Sequence, residues 1–285
     1  MKHLRPFAVI GWLLAPVPAL AADAPPAARS SEAPPALAAA VPASPGTAAA
    51  ASSEATGRVI DRAAERLMVD FCGLLTAADR FSFQLDASFD EVLRTGTRVQ
   101  YHKSSEVVVQ RPDRLRVDAE SDKGARSFFY DGKTLAVYDP DRNLYAVFPA
   151  PPTLDAMLDA AEDRGLTIPL NDLARSKPCA GLAELTRTGH YAGRHYFNGE
   201  PHHHLVFVTD GADIQLWLDT GEVPLLRKVV IDYRALPGAP RYEGVLTDWS
   251  FEPAIEASTF TFTVPQQAVK VELREAGTAE GGKTP

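Results

Sequence analysis

The stretch from Arg126 to Ala150, RSFFYDGKTLAVYDPDRNLYAVFPA, restricts the fold more than any other. Three short apolar runs are divided there by two turn signals of different chemistry. Asp131-Gly132 suits a tight hairpin, where glycine takes positive φ at no steric cost, and Asp139-Pro140-Asp141 presets a turn before Asn143. Chain direction reverses twice, and the spacing predicts a β-meander.

The same grammar runs through most of the chain. Phe81, Phe83, Leu85, Ala87 and Phe89 alternate with Ser82, Gln84, Asp86 and Ser88, the period of a strand with one buried face. The alternation continues from Thr97 to Gln110 and, after the break at Arg111-Pro112-Asp113, through Leu115, Val117 and Ala119. Downstream, His202 to Val208, Ile214 to Leu218, Leu225 to Tyr233 and Tyr242 to Phe251 are separated by Asp210-Gly211, Thr220-Gly221 and Pro237-Gly238, and Thr259 to Val264 alternates again. The run-and-turn pattern gives about ten or eleven strands with short connections, hence antiparallel pairing.

Two stretches depart from this period. From Thr56 to Ala78, Ile60, Ala64, Leu67, Phe71 and Leu74 recur on one helical face, with Asp61, Arg62, Glu65 and Arg66 largely opposite. After Ala150-Pro151-Pro152, Thr153 can cap a helix carrying Leu154, Met157 and Leu158, and Pro169 and Pro178 fit further helix starts in an insert reaching about Leu182. A sheet of this size with one apolar face curls, and helices are at hand to cover its concave side. The expected fold is therefore mainly β (α+β), a curved antiparallel sheet or incomplete barrel enclosing an N-terminal helix and a helical insert.

The first residues read as an export signal. Lys2, His3 and Arg5 precede an apolar run from Phe7 to Leu14, and Ala19-Leu20-Ala21 offers the small residues of a cleavage site. The run is shorter than the roughly 20 residues of a membrane span and Pro16 and Pro18 follow it, so residues 1–21 are expected to be removed on export to the periplasm of a Gram-negative bacterium. Residues 22–55 are almost entirely Ala, Pro and Ser, a composition that buries too little to order itself and is expected to act as a disordered spacer. One folded domain is expected over 56–275 and a loose tail over 276–285. A net charge of −8, made more negative by loss of Lys2 and Arg5, lacks the basic stripe that nucleic acid requires. The two cysteines, Cys72 and Cys179, both fall in the exported part, where oxidising conditions favour a disulfide, although free thiols remain open from sequence alone.

Chemistry is argued mostly from what the chain lacks. There is no GxSxG, no HExxH, no glycine-rich phosphate loop and no Ser-x-x-Lys set, so no catalytic residues are assigned. Asp118 and Glu120 would share a strand face, but charged alternation is the ordinary solvated side. Asp139, Asp141 and Asn143 begin like a calcium loop, yet Leu144 and Ala150 hold the positions of its glycine and glutamate. Five of the seven histidines lie between His190 and His204, with His202 and His204 on one face of a strand and His190 and His195 on a neighbour. Without an Asp, Glu or Cys at a diagnostic spacing they are read as a polar hairpin, and neither a metal nor a cofactor is expected. The remaining signal is apolar. Phe81, Phe83, Phe89, Phe128, Tyr130, Phe148, Phe207, Phe260 and Phe262 alternate inward with Leu115, Leu205 and Leu216. A large curled sheet around few helical turns can enclose more volume than its side chains fill. Phe83, Leu85, Leu115, Phe128, Phe148, Phe207 and Leu216 are the candidate lining of such a cavity, with Leu154, Met157 and Leu158 as its lid.

A family resemblance rests on these motifs in their order: FSF after the first helix, RPDRLRVDAE, FFYDGKTLAVYDP, VFPAPPTLDAMLD, WLDTGEVPLLRKVVIDY and LTDWSFEP. Over residues 57 to 273 the chain resembles the predicted periplasmic proteins called domain of unknown function 2092. That family in turn resembles lipoprotein carriers and lipid-binding lipoproteins of the LolA and LolB type. The resemblance implies a half-open β-barrel with helices closing its mouth and a cavity for acyl chains. It implies no catalytic residues, and the His202 to His204 cluster departs from its pattern. The expected function is a non-enzymatic periplasmic binding or carrier protein for a lipid, an acyl chain or a lipoprotein. The alternative is a cell-envelope interaction module with a packed barrel and a protein partner. The partners expected are a lipid or amphiphile and transiently a membrane, with no nucleic acid, and the chain is expected to act as a monomer.

Overall fold

The computed structural model describes residues 58–166, 168 and 170–272, so the expected leader, spacer and tail, and Pro169, lie outside the described residues. In chain order, β1 (Val59–Ile60) and α1 (Arg62–Ala77) precede β2 (Arg80–Val92), β3 (Arg98–Gln110), β4 (Arg114–Ser121), β5 (Arg126–Tyr130), β6 (Thr134–Asp139) and β7 (Leu144–Pro149). Three helices follow, α2 (Leu154–Asp163), α3 (Asn171–Ala174) and α4 (Ala180–Leu185). The chain then returns to strands with β8 (Thr186–Phe197), β9 (Glu200–Thr209), β10 (Asp213–Asp219), β11 (Leu226–Asp232), β12 (Arg241–Ser250) and β13 (Val269–Lys270).

All thirteen strands form one sheet in the order β1-β8-β9-β10-β11-β12-β2-β3-β4-β5-β6-β7-β13, and its two ends do not meet. Eleven of them are longer antiparallel strands, ten of them read from the sequence and β8 the addition, while β1 and β13 are two-residue parallel additions at the edges. This order dictates what the insert does. β7 and β8 stand at opposite sides of the sheet, so the connection between them must cross its full width, and α2, α3 and α4 are laid over one face as it does so. Leu154, Met157, Leu158, Ala161, Leu173 and Ala174 from these helices, and Ala64, Leu67, Phe71 and Leu75 from α1, join the sheet in one apolar core.

The meander forms for the reasons its residues give. Asp131 Oδ1 accepts from the backbone N–H of Lys133 (2.9 Å) and Thr134 (2.7 Å), and Gly132 takes φ 84°. Partial burial would raise the Asp131 carboxyl, but the Thr134 and Lys133 N–H groups hold it below the usual carboxylate range. In the second turn Asp139 Oδ1 accepts from the Arg142 N–H and Asn143 takes φ 53°. At α2, Thr153 Oγ1 accepts from the Ala156 N–H as the expected N-cap.

Four local expectations need correction. The first helix begins at Arg62, because Val59 and Ile60 instead pair with Thr188 and Gly189 of β8. Glycine is required there, since a Cβ on Gly189 would lie 2.9 Å from Ile60 Cγ2 and 3.0 Å from Phe207. α1 turns Leu75 into the core, and Leu74, assigned to its apolar face, is not among the core residues. β8 spans twelve residues where the sequence shows only a neighbour for β9; Gly189, Gly193 and its polar residues hide the alternation. Thr259 to Val264 is not a strand. The chain turns there through Thr259 N–H to Glu256 and Thr261 N–H to Ser258, and Phe262 packs on Phe129, Tyr138 and Tyr145 on the face away from the helices. Phe260 is buried but stands outside the main core.

Candidate functional site

The helix-covered face is built row by row through strand register. Phe81, Val109, Leu115, Tyr130, Leu135 and Phe148 are successive partners across β2 to β7, and Phe83, Val107, Val117, Phe128, Val137 and Ala146 form the adjoining row. Leu205, Leu216 and Val229 align across β9 to β11. The ten apolar residues singled out by sequence are thus brought together: Phe83, Leu85, Leu115, Phe128, Leu154, Met157, Leu158, Phe207 and Leu216 belong to one buried cluster, and the partly buried Phe148 packs against it. Met157 is 0% exposed, seated beneath the helical cover and not at its rim.

Polar clasps hold that cover. Arg111, at the turn between β3 and β4, sends its guanidinium under the helices. Nη1 donates to the carbonyls of Ala174 and Arg175, both at 2.7 Å, Nη2 to Leu75 and Leu173, and Nε to Ala78. One side chain thereby satisfies the C-terminal carbonyls of both α1 and α3. The Leu154 N–H at the start of α2 donates to the Pro112 carbonyl (2.9 Å), and the Tyr130 hydroxyl donates to the Pro151 carbonyl (2.5 Å). Burial pushes that hydroxyl up to about 12. Arg175 binds Asp159 (2.8 Å), Glu162 (3.1 Å) and Asp172 (3.5 Å), tying the end of α3 to α2. Cys72 of α1 and Cys179, the residue before α4, form a disulfide with their Cα atoms 5.9 Å apart.

The histidines divide between the faces. His203 lies on the helix side with the Tyr191 hydroxyl at 2.9 Å from Nδ1; burial, then Arg194 and Arg66, hold it below the ordinary histidine range. His204 stacks on Trp217 (4.1 Å between centroids), with Nδ1 2.7 Å from His195 Nδ1 and Nε2 3.1 Å from Gln215 Oε1. His202 reaches Asp219 at 3.4 Å, and Arg227 already pairs that carboxylate at 2.8 Å. His190 lies 3.8 Å from Asp61. Among the described residues no three His, Cys, Asp or Glu side chains converge as a metal site. A groove of about 720 Å³ opens beside His202, walled by Phe197, Asp219, Glu222, Val223, Arg227 and Val245. The sequence-derived lining residues are not part of it.

Sequence reasoning missed several polar residues of the helix-covered face. Ser105, Tyr233 and Tyr242 are buried there, and the preceding same-face residue on β3 is Lys103. Ser105 and Lys103 fall at apolar-phase positions of a strand, which is the one signal that could have marked them.

No curated protein matches the chain. Among solved structures it is similar to lipoprotein LppX of Mycobacterium tuberculosis, at 12% identity and TM-score 0.45 over 68% of this chain and 98% of that one. It is similar to an uncharacterized conserved protein of Thermus thermophilus at 10% identity and TM-score 0.43, covering 74% and 99% of the two chains. A LolA superfamily protein of Nitrosomonas europaea follows at 13% identity and TM-score 0.33, covering 70% and 97%. A family model matches residues 64–274, and with that span the chain belongs to the family described as predicted periplasmic protein (DUF2092).

Proposed function

We propose that this chain is a non-enzymatic periplasmic carrier whose helix-covered sheet face takes up an acyl chain or similar amphiphile. The observation that carries the reading is the construction of the cover. One unclosed sheet has its apolar face roofed by a connection of short helices, and that roof is fastened by the Arg111 and Arg175 clasps and one disulfide. Raising α2 would exchange contacts of Leu154, Met157 and Leu158 for contacts with a hydrocarbon chain of the same chemistry. Each methylene buried contributes about 0.8 kcal/mol, enough for useful affinity after the ordering cost of binding.

The test is uptake of a fluorescent fatty acid by detergent-free protein, with Arg175→Gln as the informative variant. It loosens α2 from α3 without touching the apolar face, so uptake is expected to speed several-fold with the fold retained. Absence of uptake by both proteins would overturn the reading. The same complete burial of the sheet face favours the alternative, a packed module of the envelope that docks a protein, and that module would leave the probe in solution.

A further inference from the structure

The groove beside His202 lies on the face turned away from the helices. His202 and Asp219 are direct cross-strand partners, and each is out of phase with its neighbours in the core, Leu205 and Leu218. Two chain reversals frame the groove, the end of the β8–β9 hairpin and the β10–β11 turn. The Thr220 hydroxyl donates to the Pro201 carbonyl (3.4 Å) and ties one to the other.

At the base of the groove an acceptor faces an acceptor. His202 Nδ1 lies 2.9 Å from the Glu200 carbonyl, which only accepts, so the neutral ring carries its proton there and Nε2 holds a lone pair. Nε2 makes no hydrogen bond among the described residues and faces Asp219 Oδ1 at 3.4 Å, although His202 is only 6% exposed. Arg227 donates to the same carboxylate from Nε and Nη2, which leaves it lone pairs to spare. The pair calls for a group with at least two protons to give. Two further carboxylates, Glu200 and Glu222, line the groove and have no ion pair among the described residues. The lining thus sets three carboxylates against one guanidinium. Lys228 lies 5.2 Å from the Phe197 ring centroid, but Glu243 already counters its charge at 2.5 Å.

We propose that this groove binds a lysine side chain presented by an extended segment of a partner protein. The ε-ammonium donates to His202 Nε2 and Asp219 Oδ1, the Glu200 and Glu222 carboxylates flank its charge, and the methylene stem lies along Phe197 and Val245. The two unpaired carboxylates favour a cation over a water molecule, and no third ligand converges on the pair to hold a metal. A compact ammonium suits two acceptors this close, whereas the planar fork of a guanidinium matches the two oxygens of one carboxylate. The volume of about 720 Å³ exceeds what one ammonium and its stem fill, and Val223 on the wall is 47% exposed, which residues flanking the lysine would cover. The site lies across the sheet from the helix-covered face and does not depend on the carrier reading.

The test is an NMR titration of the protein, labelled with nitrogen-15 in its histidines, with the blocked peptide Thr-Val-Lys-Val-Thr, its norleucine counterpart and 1,5-diaminopentane. In the free protein His202 is expected to carry its proton on Nδ1 alone. The lysine peptide is expected to shift His202 Nε2 and to bind about tenfold or more tighter than the norleucine peptide, the effect of hydrogen bonds to a charged group. The diamine is expected to bind more weakly than the lysine peptide. The Glu200→Gln, Glu222→Gln double variant breaks no described ion pair and keeps the backbone carbonyl that holds His202, so it should fold normally and bind the lysine peptide several-fold more weakly at low salt. A His202 ring protonated on both nitrogens in the free protein would itself donate to Asp219 and overturn the site. Equal affinity for the lysine and norleucine peptides, or a lysine affinity unmoved in the double variant, overturns recognition of a cation. A diamine that binds as tightly as the peptide overturns the partner segment, and no shift with any of the three overturns the groove as a site.

Discussion

Arg111 concentrates more of the structure than any other residue. Its guanidinium satisfies carbonyls at the ends of two helices and lies 5.6 Å over the Phe81 ring. Arg111→Met leaves those carbonyls unpaired beneath the cover and is expected to lower stability by about 3 kcal/mol in urea unfolding. Arg111→Lys should recover only part of this, because an ammonium cannot reproduce the planar fork. Lys103 works in the opposite direction. Burial brings its amine from an ordinary 10.5 down to about 8. Between those values the unfolded chain keeps a proton that the folded chain has lost, so stability rises with pH through that window, and below it the fold carries the full cost of the charge. Urea midpoints taken through the window should rise in wild type and stay flatter in Lys103→Met, which should also be the more stable protein at neutral pH. Identical slopes in the two proteins would refute the assignment. Neither role was legible in the sequence. RPD reads as a break between strands, and nothing local says that its arginine turns inward beneath two distant helices.

At the scale of elements, legibility followed periodicity. The meander and the long strands on either side of it carry a clean period of two and obey their turn residues. β8 escaped because Gly189 and Gly193 occupy positions where alternation would be read, and because its edge position leaves much of it solvated. Thr259 to Val264 misled for the converse reason: its aromatics alternate, but Phe262 serves the outer face and no neighbouring strand takes up its backbone. The pairing of Cys72 with Cys179 closes a loop of 107 residues and links α1 to the insert. Replacing both with serine is expected to cost about 5 kcal/mol on chain-entropy grounds. It should also raise hydrogen exchange in residues 150–185 before the sheet exchanges, since the insert is the less cross-linked layer. Uniform exchange of insert and sheet in the variant would show that the disulfide does not hold the cover down.

For the molecule as a whole, strand order explains why one face of the sheet is covered by helices. A sheet whose long strands begin in its middle at β2, run to β7 and resume at the far side with β8 must carry its connection over one face. The helices placed there are amphipathic, and the face beneath them is made of the in-phase residues of eleven strands. The apolar face was therefore readable as alternation, whereas the polar residues within it, such as Ser105 and Tyr242, depend on which rows meet, which only the register reveals. The most direct measurement is native mass spectrometry of the protein purified from periplasm without detergent, followed by organic extraction of whatever accompanies it. A carrier is expected to show a stoichiometric adduct of lipid size, released by the solvent. A clean mass for the bare chain, with no adduct after exposure to fatty acids and phospholipids, would contradict the carrier reading.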